Sequence, residues 1–317
     1  MRPFTPTWGL LATQKMALAD MNRLFPWWLK ITFKLLLSKF PLPYAFWARL
    51  GVFRHGDMKQ PQRALDSLSI HAATAGILDQ QAAAPCFSRT GINVLELGPG
   101  DSAFTAVIAK AMGANRVWLV DAGAFAVTDM SAYQALFAFL RKHGFDITNI
   151  QNSQSFSEVL DRCNAAYLTS GVGSLTHLDD QSVDFCFSNA VLEHIPKSDM
   201  ALLAQELKRV LRPGGICVHR VDLQDHLCGQ LNNLRFSEEV WESRLFRKAG
   251  FYTNRIRYTE MVALFEQAGF ACNVPRIVNW DHIPTPRARM YKRFRSLPDE
   301  NLLVKGFDLV LTHRGLN

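Results

Sequence analysis

Two groups of residues in this chain have the types and spacing that chemistry needs. The first is Glu96-Leu97-Gly98-Pro99-Gly100-Asp101, with Asp121 downstream. Glycines at alternate positions let a backbone turn approach a ligand closely. An acid ending the next strand can accept hydrogen bonds from the two vicinal hydroxyls of a ribose. Ala103 stands where a dinucleotide fingerprint has its third glycine, and Glu96 precedes the turn. Both features argue against a nicotinamide-dependent oxidoreductase. The second group is His219-Arg220-Val221-Asp222-Leu223-Gln224-Asp225-His226, with His194 upstream. Three readings stay open for it. It is a His/Asp base pair in which the carboxylate fixes the imidazole tautomer, a site for a divalent ion, or a solvated capping loop. No particular metal ligand stands out. His194 is either a base or a histidine that structures its loop.

The elements that must position these groups follow from hydrophobic patterning. Residues 94–97 and 116–120 read as buried strands, with a helix over 103–112 between them. Helices are predicted over 63–84, 130–143, 155–168, 199–211 and 259–268. Strands are predicted over 183–188, 216–221, 270–278 and 307–312, with a tight turn at Pro213-Gly214-Gly215. Strands alternating with helices imply an α/β fold whose mainly parallel sheet is covered on both faces.

In this order of elements the chain resembles the class I S-adenosylmethionine-dependent methyltransferases. The likeness runs from about Asn93 to Arg220. Glu96-Leu97-Gly98-Pro99-Gly100 looks like the family's first motif, and Asp121 matches its ribose-binding acid. Asp184-Phe185-Cys186-Phe187-Ser188-Asn189-Ala190-Val191-Leu192-Glu193-His194 looks like the fourth-strand motif. Leu207-Lys208-Arg209-Val210-Leu211-Arg212-Pro213-Gly214-Gly215 looks like the approach to the fifth strand. The resemblance implies a Rossmann-like seven-stranded sheet with an antiparallel last strand, and S-adenosyl-L-methionine as cofactor. It implies cofactor contacts from Glu96, Gly98, Gly100, Asp101, Asp121, Ser188 and Asn189. Val172 stands where the family often has an Asp facing the adenine, so Ser174 or backbone groups are expected there. Candidate catalytic residues are His194, His219, Asp222 and His226. A weaker resemblance, to bacterial methyltransferases encoded with cell-surface polysaccharide genes, implies O-methylation of a sugar, a lipid-linked saccharide or a small metabolite. A cofactor-binding partner subunit without catalysis is the alternative.

Composition bounds the rest. The chain has 317 residues, a net charge of +7 and 48% hydrophobic residues, ample for a packed core. Its six cysteines show no Cys-x-x-Cys spacing and read as reduced residues of a cytoplasmic protein. Residues 1–63 hold ten Lys/Arg against two acids, so the basic charge sits in the N-terminal segment. Residues 24–53 are rich in Trp and Phe, but Lys30, Lys34 and Lys39 interrupt the run and prolines end it. Pro26 is placed to start a helix reaching about Phe40, with Lys30, Lys34 and Ser38 on one face. It reads as a lid on the body or as an interfacial helix at the inner membrane surface. No nucleic-acid-binding motif accompanies it. The expected organisation is a helical extension over 1–88 and a catalytic body over 89–317. Insertions near 222–258 and 279–305 would cap the acceptor, and the second carries a basic stretch, 287–295.

Overall fold

The computed structural model of the protein describes residues 26–37, 58–79 and 81–315. Seven strands form one sheet: β1 (Asn93–Leu97), β2 (Arg116–Val120), β3 (Ala165–Leu168), β4 (Val183–Asn189), β5 (Leu211–Asp222), β6 (Phe270–Asn279) and β7 (Val304–His313). Their spatial order is β3-β2-β1-β4-β5-β7-β6. All pairings are parallel except those of β7, which runs antiparallel between β5 and β6. The order reverses between β1 and β4, so the carboxyl ends of those strands open the crevice where such sheets bind ligands.

Seven helices can be labelled: α1 (Trp27–Leu37), α2 (Pro61–Thr74), α3 (Phe104–Ala111), α4 (Met130–Lys142), α5 (Phe156–Arg162), α6 (Met200–Val210) and α7 (Tyr258–Gln267). Strand side chains alternate between two apolar layers, as a period of two demands. Val94, Val117, Leu119, Phe185, Phe187 and Val218 pack under α2 to α5. Leu95, Leu97, Trp118, Cys186, Cys217 and Leu309 pack under α6 and α7. The sheet is thus buried on both faces, which is why its strands read as near-continuous apolar runs.

Several boundaries differ from the sequence reading. The helix expected over 63–84 stops at Thr74, because Gly76 turns left-handed (φ 71°). Leu78–Asp79 then pairs antiparallel with Cys86–Phe87. Moreover, α2 packs in the main core through Ala64, Leu65 and Leu68. The body therefore begins before residue 89. The helix expected over 155–168 ends at Arg162, and Ala165–Leu168 becomes the edge strand β3. There, pairing with β2 outweighs helix propensity, and the Tyr167 hydroxyl accepts the amides of Phe125 and Ala126. Pro213-Gly214-Gly215 lies inside β5 as an irregular start, with Gly214 at φ 78°.

The insertions 222–258 and 279–305 pack on each other through Leu231, Leu234, Met290, Phe294 and Leu302. Buried Arg257 ties them to the sheet. Its guanidinium donates to the carbonyls of Leu223, Asn301 and Val304 at 2.7–3.2 Å. Glu238 gathers Lys197, Arg255 and Arg293. Part of the basic stretch is paired: Arg293 also meets Glu260, Arg287 meets Asp299, and Arg295 donates to the Met290 carbonyl. Of this stretch, Arg289 and Lys292 remain exposed.

Helix α1 lies on this cap. Ile31 is buried among Trp241, Phe246, Phe251 and Tyr252, and Trp27 meets Phe236 edge-on at 6.0 Å. Lys30 reaches the Leu227 carbonyl at 3.0 Å. Trp28 and Leu29 remain exposed. The side chain of Lys34, and Ser38 to Phe53, lie outside the described residues. Among the described residues no helix is long and apolar enough to cross a membrane.

Candidate active site

Strand β1 ends by delivering Glu96 and the glycine turn to the crevice. Gly98 and Gly100 adopt φ of 68° and 72°, the region where a side chain is strained. A Cβ at Gly98 would sit 2.4 Å from Val191 Cγ2. Val191 therefore presses directly on the turn. Across the crevice Asp121 ends β2, and its carboxylate accepts the Gly100 amide at 3.0 Å and the Ala122 amide at 2.7 Å. The backbone of Asp121 bonds Leu168 and Gly171, so β3 and the turn after it are locked to the same acid. Glu96, Gly98, Gly100 and Asp121 are thus brought together.

A ribose-bearing cofactor with a cationic amino end fits these residues. Gly98 and Gly100 hold a left-handed turn that side chains rarely adopt, and Glu96 carries a buried oxygen, Oε2, without a hydrogen-bond partner. Burial raises the Glu96 pKa to about 8, against a hydrogen bond from Thr105 that lowers it. An ammonium group beside Glu96 would restore its charge. We therefore expect binding of S-adenosylhomocysteine at pH 7 to release up to about one proton, read by calorimetry in buffers of different ionisation enthalpy. Glu96→Gln should abolish the release, and a release unchanged in that variant would refute the assignment. The linkage has a definite sign. The folded apo-protein keeps a proton that the unfolded chain loses, so this group makes stability fall as pH rises from about 4.5 to about 8.

The other expected cofactor residues are placed differently from one another. Asp101 accepts the Met58 amide and pairs with Lys59, tying the start of the body to the turn. Ser174 is buried, and its hydroxyl accepts the Ser170 amide within the 3₁₀ turn Gly171–His177. Ser188 is buried at the end of β4, bonded to His219 Nδ1 at 2.8 Å. Asn189 is exposed beside Arg220.

His219 needs a correction as a catalytic candidate. It is fully buried on the α7 side of the sheet, stacked near Phe265, and burial lowers its pKa to about 3. It stays neutral and sealed from any acceptor, because the strand period aims it into the core. His194 and His226 do converge, at the carboxyl ends of β4 and β5, whereas the Asp222 carboxylate accepts the Gln224 backbone and side-chain amides, so the His/Asp pair expected there is not what this carboxylate makes. Ala190 turns left-handed (φ 56°) immediately after β4, which throws Val191 over Gly98 and Glu193 inward. The His194 and His226 rings lie 4.6 Å apart. His194 Nδ1 donates to the Tyr252 carbonyl at 3.0 Å, so the basic ring nitrogen is Nε2.

Glu193, quoted within a motif but not singled out, is the residue that sequence reasoning missed. Its Oε1 accepts the Asp222 amide at 3.3 Å while Oε2 has no hydrogen-bond partner. Burial, reinforced by the Asp222 charge, raises its pKa well above the ordinary range. An acid inside an otherwise apolar strand exit was the available signal. A cavity of about 10 Å³ beside it is bounded by Asp222, Asn233, Asn254, Arg255 and Arg257. A larger one, about 280 Å³, lies at the amino ends of the strands near Arg89 and Asp184. The larger is not the cofactor site, since the glycine cradle and Asp121 open at the opposite end of the sheet.

The fold and this crevice define a class I methyltransferase architecture. Residues 95–219 match the family described as a methyltransferase domain. The match makes the chain an enzyme of methyl transfer. No curated protein matches the chain. Among solved structures it is similar to the YcgJ protein of Bacillus subtilis, at 16% identity and TM-score 0.40, covering 80% of this chain and 100% of that one. It is also similar to a SAM-dependent methyltransferase of Methanosarcina mazei, at 14% identity and TM-score 0.36, covering 71% and 93%. A third is a Haemonchus contortus phosphoethanolamine N-methyltransferase 2 in complex with S-adenosyl-L-methionine, at 15% identity and TM-score 0.39, covering 71% and 49%. Likeness this distant says nothing of the acceptor.

Proposed function

We propose that the chain methylates a hydroxyl oxygen of a small acceptor, a saccharide or similar hydroxylated metabolite. The observation that carries this reading is the polar cluster of Glu193, His194 and His226, with the Asp222 amide donating to Glu193 Oε1. It stands one turn from Val191, which itself packs on the cofactor turn at Gly98. Transfer to a hydroxyl, unlike transfer to an amine with a free lone pair, needs a group that takes up a proton. The bound cofactor supplies an activated methyl on a sulfonium. The protein's own work is alignment and proton removal. The cap 222–258 and 279–305 roofs the cluster and would set the acceptor's shape, while α1 closes over the cap as a lid.

His194→Gln should lower turnover by about 10²- to 10⁴-fold, the usual worth of a positioned acid or base, with S-adenosylhomocysteine affinity unchanged. The check is methyl transfer from radiolabelled S-adenosylmethionine to a panel of sugars, amines and thiols. Label in an alkali-stable ether of a hydroxylated acceptor supports the reading. Label only in an amine or thiol product, or full turnover by His194→Gln, overturns it.

A further inference from the structure

We propose that Glu193, His194 and His226 form a binding site for a divalent transition-metal ion. One donor atom from each lies within 4.8 Å of the others. Metal–donor distances of about 2.0–2.1 Å put neighbouring donors about 3 Å apart. The two imidazoles are exposed, so an ion can reach the set from solvent.

Three further observations favour a ligand here over a chance cluster. The first is that His194 donates its Nδ1 proton to the Tyr252 carbonyl, which fixes the tautomer and aims Nε2 as a donor, the outer-shell arrangement that ligating histidines adopt. The second is the carboxyl of Glu193, 1% exposed, which holds an oxygen that no protein group answers. The third is that both segments are held by buried side chains. Asn254 donates from Nδ2 to the carbonyls of Leu192 and Ile195, on either side of Glu193-His194. The buried Asp225 carboxylate accepts the amides of Leu227, Cys228 and Asn232, which pins the loop carrying His226.

The donor set selects the ion. Two imidazoles and one carboxylate suit zinc, cobalt, manganese or ferrous iron, whereas magnesium and calcium prefer all-oxygen shells. Three protein donors leave coordination positions open to a substrate oxygen. Resting on the oxygen-acceptor reading above, the ion would take the acceptor hydroxyl and lower its pKa. With its Nε2 on the ion, His194 acts on that proton through the metal and not as a free base, and the proton leaves to solvent. The oxygen then forms its bond to the methyl carbon, and the broken carbon–sulfur pair stays on sulfur, giving S-adenosylhomocysteine.

The test is a cobalt(II) titration of the untagged, chelator-treated full chain, followed by visible absorption and by metal content after dialysis. One equivalent of cobalt per chain is expected. His226→Ala and His194→Ala should each weaken its binding by more than about 100-fold, beyond the cost of losing an outer hydrogen bond. Both histidines are exposed, and unchanged S-adenosylhomocysteine affinity certifies the fold of each variant. Failure to bind cobalt stoichiometrically, or binding that survives both substitutions, overturns the site. The two readings fail separately. Stoichiometric cobalt with methyl going only to amines overturns the oxygen acceptor and leaves the site. Oxygen methylation that survives chelation in a protein that binds no cobalt overturns the site alone.

Discussion

Asp121→Ala is expected to weaken S-adenosylhomocysteine binding by on the order of 100-fold or more. The carboxylate ends β2 facing the glycine turn, and its two oxygens already orient the Gly100 and Ala122 amides. Each oxygen keeps a second lone pair for a ribose hydroxyl. A hydrogen bond to a charged group is worth about 1.5–3 kcal/mol, so losing two costs about 3 kcal/mol or more. The alanine variant also frees the Gly100 amide, which loosens the cradle. Asp121→Asn keeps the shape but replaces one acceptor with a donor, and should fall between the two. Calorimetry with S-adenosylhomocysteine measures all three proteins. Equal affinity for wild type and Asp121→Ala would remove the basis for placing the ribose there.

The largest effect on stability is expected at Arg257. This side chain is buried, and burial lowers its pKa to about 10. Its guanidinium answers three carbonyls that belong to the cap and to β7: those of Leu223, Asn301 and Val304. Arg257→Met removes the cost of burying a charge but strands those carbonyls, at about 1–3 kcal/mol each. The net loss should be about 3–5 kcal/mol. At about 2 °C per kcal/mol for a domain of this size, the melting temperature should drop about 6–10 °C. Arg257→Lys should recover only part of this, because a compact ammonium cannot span three acceptors as a planar fork does. Thermal melts at one pH decide the matter. A methionine variant as stable as wild type would show that the cap does not depend on this anchor. Since the cofactor crevice lies apart from Arg257, its affinity for S-adenosylhomocysteine should change little.

Both predictions depend on parts of the molecule that were unequally legible in the sequence. The cofactor half could be read because its determinants are local. A strand, a glycine turn and a helix within a few tens of residues place Glu96, Gly98 and Gly100, and the next strand delivers Asp121. Periodicity of the apolar residues gave the strands and most helices. Where it failed, a single residue or a tertiary pairing decided. Gly76 stopped α2, and pairing with β2 turned Ala165–Leu168 from a predicted helix into an edge strand.

The acceptor half was legible only as a polar stretch. From its sequence, His219 and His226 look equivalent. The register of β5 on β4 buries the first against Ser188 and leaves the second on a loop beside His194. Glu193 gained its meaning only once Ala190 turned left-handed and folded it beneath the two imidazoles. In the basic stretch 287–295, Arg293 is paired by Glu238 and Glu260 from distant elements, a pairing the stretch itself does not announce. By itself, then, the sequence determined six of the sheet's seven strands and the glycine turn, because short-range pattern and backbone stereochemistry specify them. Only the tertiary structure decided which ionisable groups share a site. Burial and charge pairing depend on residues far apart along the chain, and those contacts leave no periodic trace in it.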